Sequence, residues 1–239
     1  MNTKKNIIAV FVVMTISISS AFGFIGFGLY GLQDMVTVEG HQSEKVESDV
    51  KVLMDRQGFE NPYGLGGYIY LDFIPFIDLE ADIQATFSQY TFNFQNYAND
   101  VPMVETGDVD FAHARISGFF TVRKKLIGLS LPFLGGIKLH AGGGLNFHKS
   151  VPFASINMME DLLGDDLFEE FDASSMEDKI VDYIKENAET NKGFHAQIGV
   201  QLKLLGLDSF IYYRYVISKD LYPDTNGFGT LNLRIGLGF

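Results

Sequence analysis

Hydrophobic and polar positions alternate with a period of two over long stretches of this chain. In the C-terminal run TLNLRIGLGF, Leu231, Leu233, Ile235, Leu237 and Phe239 share one parity, and Thr230, Asn232, Arg234, Gly236 and Gly238 share the other. Successive side chains of a strand point to opposite faces, so the run predicts a strand with one wholly apolar face. GFHAQIGVQLKLL repeats the pattern, with Phe194, Ala196, Ile198, Val200, Leu202 and Leu204 against His195, Gln197, Gly199, Gln201 and Lys203. GIKLHAGGGLNF sets Ile137, Leu139, Ala141, Leu145 and Phe147 against Lys138, His140 and Asn146. Eight segments predict strands on these grounds, near 24–36, 65–75, 78–95, 108–124, 134–147, 193–205, 208–218 and 228–239. The third changes phase between Phe87 and Tyr90, which predicts a bulge or an extension beyond the membrane. The first and seventh alternate less cleanly.

The connections then choose the architecture. Short ones fall at the Pro75-Phe76-Ile77 region, the Lys125–Pro132 stretch and Gly206-Leu207; long ones fall at 37–64, 96–107, 148–192 and 219–227. An even number of strands with short turns at one end and long loops at the other predicts an all-β fold, an eight-stranded antiparallel transmembrane β-barrel. A soluble sandwich has no reason to sort its loops by length. Most segments reach the ~9–11 residues that a tilted strand needs to cross a bilayer. The apolar parity then faces lipid and the polar parity faces a crowded interior, with both termini on the periplasmic side.

Composition changes the picture in two places. The N-terminus, MNTKKNIIAVFVVMTISISSAFGF, has a basic start at Lys4 and Lys5, an apolar core from Ile7 to Ile18 and a small-x-small site at Ala21-Phe22-Gly23. That is the layout of a cleaved signal peptide over 1–23, with the mature barrel over 24–239. The apolar core is shorter than the ~20 residues of a spanning helix. There is no Cys and no Trp, while 22 Phe and 11 Tyr supply aromatic belts. Neither disulfides nor a thiolate metal site nor a lipidated cysteine can form.

The exported leader, the eight strands and the terminal strand resemble the small eight-stranded outer-membrane β-barrel proteins of Gram-negative bacteria, the OmpA/OmpX/OmpW-like class, with no particular subfamily matched. In that group a terminal aromatic residue preceded by alternating apolar positions is the signal that the barrel-assembly machinery reads. Leu231, Leu233, Ile235, Leu237 and Phe239 match it. The resemblance implies outer-membrane lipid, lipopolysaccharide and that machinery as partners, and says nothing about activity.

The inward parity collects charges. Asp72, Glu80 and Asp82 share it with Arg115, Arg123, Lys138, Lys203, Arg214 and Arg234. Charges buried together must pair, because an unpaired one costs several kcal/mol. An eight-stranded barrel is just wide enough for its own side chains, which favours a packed ion-pair network over a conduction path. Bare inward positions, Gly26, Gly28, Gly142, Gly144, Gly236 and Gly238, either outline a ligand cavity or make room for aromatic rings such as Tyr30, Phe119 or Tyr212.

Segment 148–192 holds 12 Asp and Glu against 4 Lys, a net −8 of the chain's −12. Ile156, Met159 and Leu163 recur at helical spacing before a stop at Gly164; Leu167, Phe168 and Phe171 follow. Ser175-x-x-Asp178 resembles a capping box ahead of Ile180, Tyr183 and Ile184. Short amphipathic helices are expected in this extracellular loop, as a passive cap or as a lid or docking element. The first loop predicts another helix, with Val46, Val50 and Leu53 on one face and Gly58 after it. No Asp-x-[Asp/Asn]-x-[Asp/Asn]-Gly loop is present for calcium.

The best candidate for catalysis is FHKS, where His148 and Ser150 resemble the His-x-Ser pair of the lipid A deacylase family, with Glu160 12 residues on from His148. Parity turns His148 inward, away from the lipid such an enzyme cleaves, and that family's glycine and asparagine context is missing. His113, His140 and His195 lie on three predicted strands with no metal-ligand spacing. An acidic exported chain has no case for nucleic acid. The expectation is a non-enzymatic outer-membrane barrel, without cofactor or metal, that anchors a structured acidic cap for envelope integrity, adhesion or protein contact. Binding or transport of a small hydrophobic molecule through a lateral or capped lumen is the alternative, and a lipid A hydrolase comes third.

Overall fold

The computed structural model describes residues 25–74, 77–99, 101–131, 135–163 and 173–238. In chain order the strands are β1 (Ile25–Met35), β2 (Thr37–Val38), β3 (His41–Glu47), β4 (Val50–Arg56), β5 (Phe59–Glu60), β6 (Tyr63–Ile74), β7 (Ile77–Ala98), β8 (Val101–Glu105), β9 (Val109–Leu131) and β10 (Gly135–Ser150). The helices α1 (Ile156–Leu163) and α2 (Ala173–Asn187) come next, then β11 (Glu189–Leu204), β12 (Leu207–Tyr222) and β13 (Thr225–Gly238). The leader 1–23, Leu167, Phe168, Phe171 and Phe239 lie outside the described residues.

Eight strands close a ring in the order β1, β6, β7, β9, β10, β11, β12, β13, every pair antiparallel, with β13 returning to β1. Closure leaves no ladder edge for lipid to face, the condition for strands to span a bilayer. The apolar parity lies outside, where Leu29 is 70% exposed, Ile83 62% and Leu233 61%. A continuous apolar belt of that extent has no place in water and fits hydrocarbon. The interior carries the polar parity. The chain is an eight-stranded antiparallel transmembrane β-barrel, as its alternation predicts.

Strand β7 explains the change of phase. Its register against β9 runs unbroken from Asp78 to Phe92, so no bulge intervenes. Even-numbered residues point inward along the whole strand, first Asp78, Glu80, Asp82, Gln84 and Thr86, then Tyr90, Phe92 and Phe94. On the outward side Leu79, Ile83 and Phe87 give way to Gln89, Thr91, Asn93 and Gln95. Geometry stays constant while the surroundings change from lipid to water, and the apolar side of the strand changes with them. Above the lipid belt the barrel wall encloses a hydrophobic core of Val52, Met54, Phe59, Phe92, Phe94, Met158, Met159, Leu162 and Tyr222, the inside of a folded head.

Several connections differ from expectation. The helix expected around Val46, Val50 and Leu53 is the hairpin β3–β4, turning at Ser48 with its positive φ of 53°. Val50, Val52 and Met54 bury one side, and β4 pairs with the part of β7 that rises above the belt, so sheet pairing overrides a helical spacing of three apolar residues. The Lys125–Pro132 stretch is strand as far as Leu131: β9 continues past a bulge that shifts register opposite Leu139 and His140. Segment 219–227 is no long loop, because Pro223 and Asp224 form a two-residue turn between Tyr222 and Thr225. Proline presets the first position and Asp224 takes φ 60° at the second. Segment 96–107 is largely the tip of the β7–β8 hairpin. The turn expected at Gly206-Leu207 uses Leu205 and Gly206, both with positive φ, as a tight hairpin favours.

In the long loop, α1 starts at Ile156, with Ser155 Oγ accepting from the Met158 amide at 3.2 Å as an N-cap. Helix α2 begins at Ala173, ahead of Ser175, so positions 175 and 178 lie inside it and not at its start. Because the outward side of β7 is lipid-facing at Ile83 and water-facing at Gln89, Ile83→Arg should destabilise the folded barrel in vesicles, by up to ~2–4 kcal/mol at mid-membrane. Gln89→Arg, six residues further along the same side, should be neutral. Urea unfolding of both variants checks this, and equal losses would contradict the assigned belt.

Candidate functional site

Inside the belt the lumen is a packed set of ion pairs. At its centre Glu80 takes Arg123 Nη1 at 3.0 Å and Arg234 Nη1 at 2.7 Å, while Asp82 takes Arg214 Nη2 at 2.8 Å and Arg234 Nη2 at 3.0 Å. Arg123 also reaches Asp78 at 3.1 Å. Gln197 ties the set together, donating to Glu80 at 3.2 Å and accepting from Arg214 Nε at 3.0 Å. Tyr30 donates to Asp82 at 2.7 Å. Aromatic faces fill the spaces between: the Arg214 guanidinium lies 3.9 Å from the Phe119 centroid, and that of Arg234 lies 4.4 Å from Tyr212 and 4.5 Å from Tyr68.

Nearer the head, Arg115 pairs with Asp34 at 2.7 Å, and Tyr222 accepts from Arg115 while donating to Asp34. Toward the turns, Lys138 stands 3.6 Å from Asp72. Lys203 Nζ and Asp208 Oδ2 close together on the space beside Gly238, and Tyr70 donates to Asp208. The structure therefore joins Glu80, Asp82, Arg123, Arg214 and Arg234 in one cluster, and holds Arg115, the Asp72–Lys138 pair and Lys203 outside it. Asp34, Asp78 and Asp208 complete the set and were not singled out from sequence. Asp78 shares parity with Glu80 and Asp82, and that shared parity was the available signal. Among the described residues, Asp34, Asp72, Asp78, Glu80, Asp82 and Asp208 thus lie inside the barrel together with Arg115, Arg123, Arg214, Arg234, Lys138 and Lys203.

Of the bare inward positions, Gly26, Gly236 and Gly238 lie against the side chains of Tyr70, Tyr68 and Tyr70, while a side chain at Gly28, Gly142 or Gly144 would meet a backbone carbonyl of the next strand. A side chain at Gly26 would overlap the Tyr70 ring, one at Gly66 the Tyr30 ring, and one at Gly199 would meet Tyr212. A gap of about 10 Å³ among Glu80, Arg123, His140, Gln197 and Arg234 has room for one water at most. On the outer wall, outward Gly31, Gly67 and Ala85 leave a hollow of about 840 Å³ among Leu29, Leu65 and Ile83, facing lipid.

The pieces of a catalytic set stay apart. His148 Nδ1 lies 2.8 Å from Ser117 Oγ, Ser150 Oγ is buried without a hydrogen-bond partner, and Glu160 pairs with Lys45 at 2.6 Å. That carboxylate holds the Lys45 ammonium above the usual lysine range and ties β3 to α1. His113 stacks on Phe153 at 4.5 Å, His140 lies 3.0 Å from Gln201, and His195 lies 2.9 Å from Thr121. Among the described residues no group of His, Asp and Glu has the arrangement of a metal site.

The head holds a second open space. A cleft of about 680 Å³ lies between β3 and the segment entering α1, lined by His41, Ser43, Lys45, Arg56, Phe153, Asn157, Asn187 and Glu189, among others. Sequence reasoning missed Arg56, because the helical reading of the first loop hid its place at the end of β4.

No protein-family model matches the chain, and no curated protein matches it by sequence. Among solved structures it is similar to Ail, the attachment invasion locus protein of Yersinia pestis, at 10% identity and TM-score 0.33, over 90% of this chain and 97% of that one. It is also similar to the outer membrane protein OprG from Pseudomonas aeruginosa, at 10% identity and TM-score 0.38, over 90% and 91%. Neisserial surface protein A matches at 15% identity and TM-score 0.35, over 89% and 97%. These likenesses are too remote to transfer a property, and the barrel rests on its own closed ladder.

Arg234→Leu would leave Glu80 and Asp82 each short of a partner, and should cost ~3–5 kcal/mol in urea unfolding. Lys138→Met, at the half-open end, should cost about 1 kcal/mol or less. Similar losses in both variants would contradict a buried, mutually dependent cluster.

Proposed function

We propose that the protein is exported to the bacterial outer membrane, and that its barrel anchors and presents the folded head at the cell surface without catalysis. The observation that carries this reading is the lumen, where charges are matched and rings occupy the space between them. A barrel so filled offers no path for a solute, and the described structure opens to solvent chiefly in the head. Carriage of a small apolar molecule through the lumen finds no room in a gap of about 10 Å³. Adhesion, contact with another protein or support of the envelope are the roles open to an acidic head on a membrane anchor.

Leader and terminal strand support the same reading. Residues 1–23 have the layout of a cleaved signal peptide, and Leu231, Leu233, Ile235, Leu237 and Phe239 suit the assembly machinery's signal. Leu231, Leu233, Ile235 and Leu237 all lie on the lipid side of β13, exposed by 45% or more. Short turns and chain ends then sit on the periplasmic side, and the long acidic loop sits outside.

The chain has no cysteine, so one introduced at the exposed Lys185 of α2 reports orientation cleanly. Lys185→Cys should react with an impermeant maleimide on intact cells, and deleting Phe239 from that variant should lower the labelled, heat-modifiable fraction. Labelling only after lysis would refute the surface assignment. Undiminished assembly without Phe239 would refute the terminal signal.

A further inference from the structure

Arg115, Arg123, Arg214 and Arg234 are buried, and each touches a carboxylate. Arg56 is buried too, at 8% exposure, and touches none among the described residues. It ends the inward row Val52-x-Met54-x-Arg56, where the alternation of β4 calls for a third apolar residue against the head core. Its guanidinium lies over the Phe153 ring at 4.7 Å, and its Nε has no hydrogen-bond partner. Burial pushes its pKa below the usual arginine range, with the charges of Tyr90 and Asp224 acting against that. A cation placed so unfavourably for folding asks what would satisfy it.

Arg56 forms part of the wall of the cleft of about 680 Å³. Most other charges around that cleft already have partners: Glu44 pairs with Lys51 at 3.1 Å and Lys45 with Glu160 at 2.6 Å. Glu189 is the exception, its carboxyl raised by burial and by Asp220. His41, Ser43, Asn157 and Asn187 add neutral donors and acceptors.

We propose that this cleft binds an oxyanion, a phosphate, sulfate or carboxylate group on a polar, hydroxyl-bearing small molecule, with Arg56 as the fork that receives it. A guanidinium presents paired N–H donors that match such groups, and the Phe153 ring beneath it holds the fork in one plane. The proposal rests on the reading that the head is the working part of the protein.

Calorimetric titration of the folded full chain in detergent, with glucose 6-phosphate, glucose 6-sulfate and glucose as probes, tests it. At least one anionic ester should bind at least ~10-fold more tightly than glucose, and Arg56→Gln should remove that advantage. Arg56→Lys should keep part of it. Since Arg56 is buried, exposed positions give an independent reading: Asn157→Asp should weaken the anionic probes and Glu189→Gln should strengthen them. Glucose binding as tightly as its esters overturns the proposal, and so does wild-type binding by both Arg56→Gln and Asn157→Asp. In nanodiscs, ester binding lost only when lipid A is present assigns the site to the membrane's own phosphates. Equal binding with and without lipid A assigns it to a soluble ligand. No ester binding, from a protein whose Lys185→Cys variant labels on intact cells, removes the oxyanion site and leaves the surface anchor standing. Ester binding with labelling only after lysis does the reverse.

Discussion

A closed ring of eight strands is just wide enough for its own side chains, and that constraint organises the rest of the structure. The inward charges must find their partners among other inward residues. Acids therefore lie against bases, arginines lie on aromatic faces, and Gly26 and Gly66 stand where a ring has to pass. Arg234 shows how tightly these demands interlock: it bridges Glu80 and Asp82 while touching the rings of Tyr68 and Tyr212. Taking away one partner strands the others in a dry interior, at a cost far above that of a surface pair.

The second organising fact is that the strands outrun the membrane. β7 has 22 residues and β9 has 23, about twice the ~9–11 that a crossing needs. Above the belt the same walls stand in water, and the inward side becomes the apolar one. The barrel thus turns without a break into a head with its own core, closed over by α1 and braced by the β3–β4 hairpin. Anchor and head share their strands, so neither moves freely against the other.

Where one environment persists along a strand, the sequence is easy to read. β10, β11 and β13 lie at the expected places with the expected parity, and Glu80, Asp82, Arg123, Arg214 and Arg234 lie inward because alternation puts them there. The head was harder, for a physical reason. Alternation tells which residues share a face but not which face is wet, and in the head the answer reverses. The step from Phe87 to Tyr90 therefore looks like a fault in the pattern, and Val46, Val50 and Leu53 look helical when their partner strand is unknown. Arg56 was invisible for the same cause, since its significance lies in what it fails to touch. Asp34 was hidden in a first strand whose inward row also contains the apolar Leu32.

The surface-anchor proposal depends on the filling of the lumen, because a filled barrel leaves a solute no path through it. Recording the folded monomer in a planar bilayer tests it most directly. The account predicts no resolvable channel steps at any holding voltage the bilayer withstands. Large, stable openings from the wild-type monomer would contradict it, showing that the paired charges line a path and do not close one.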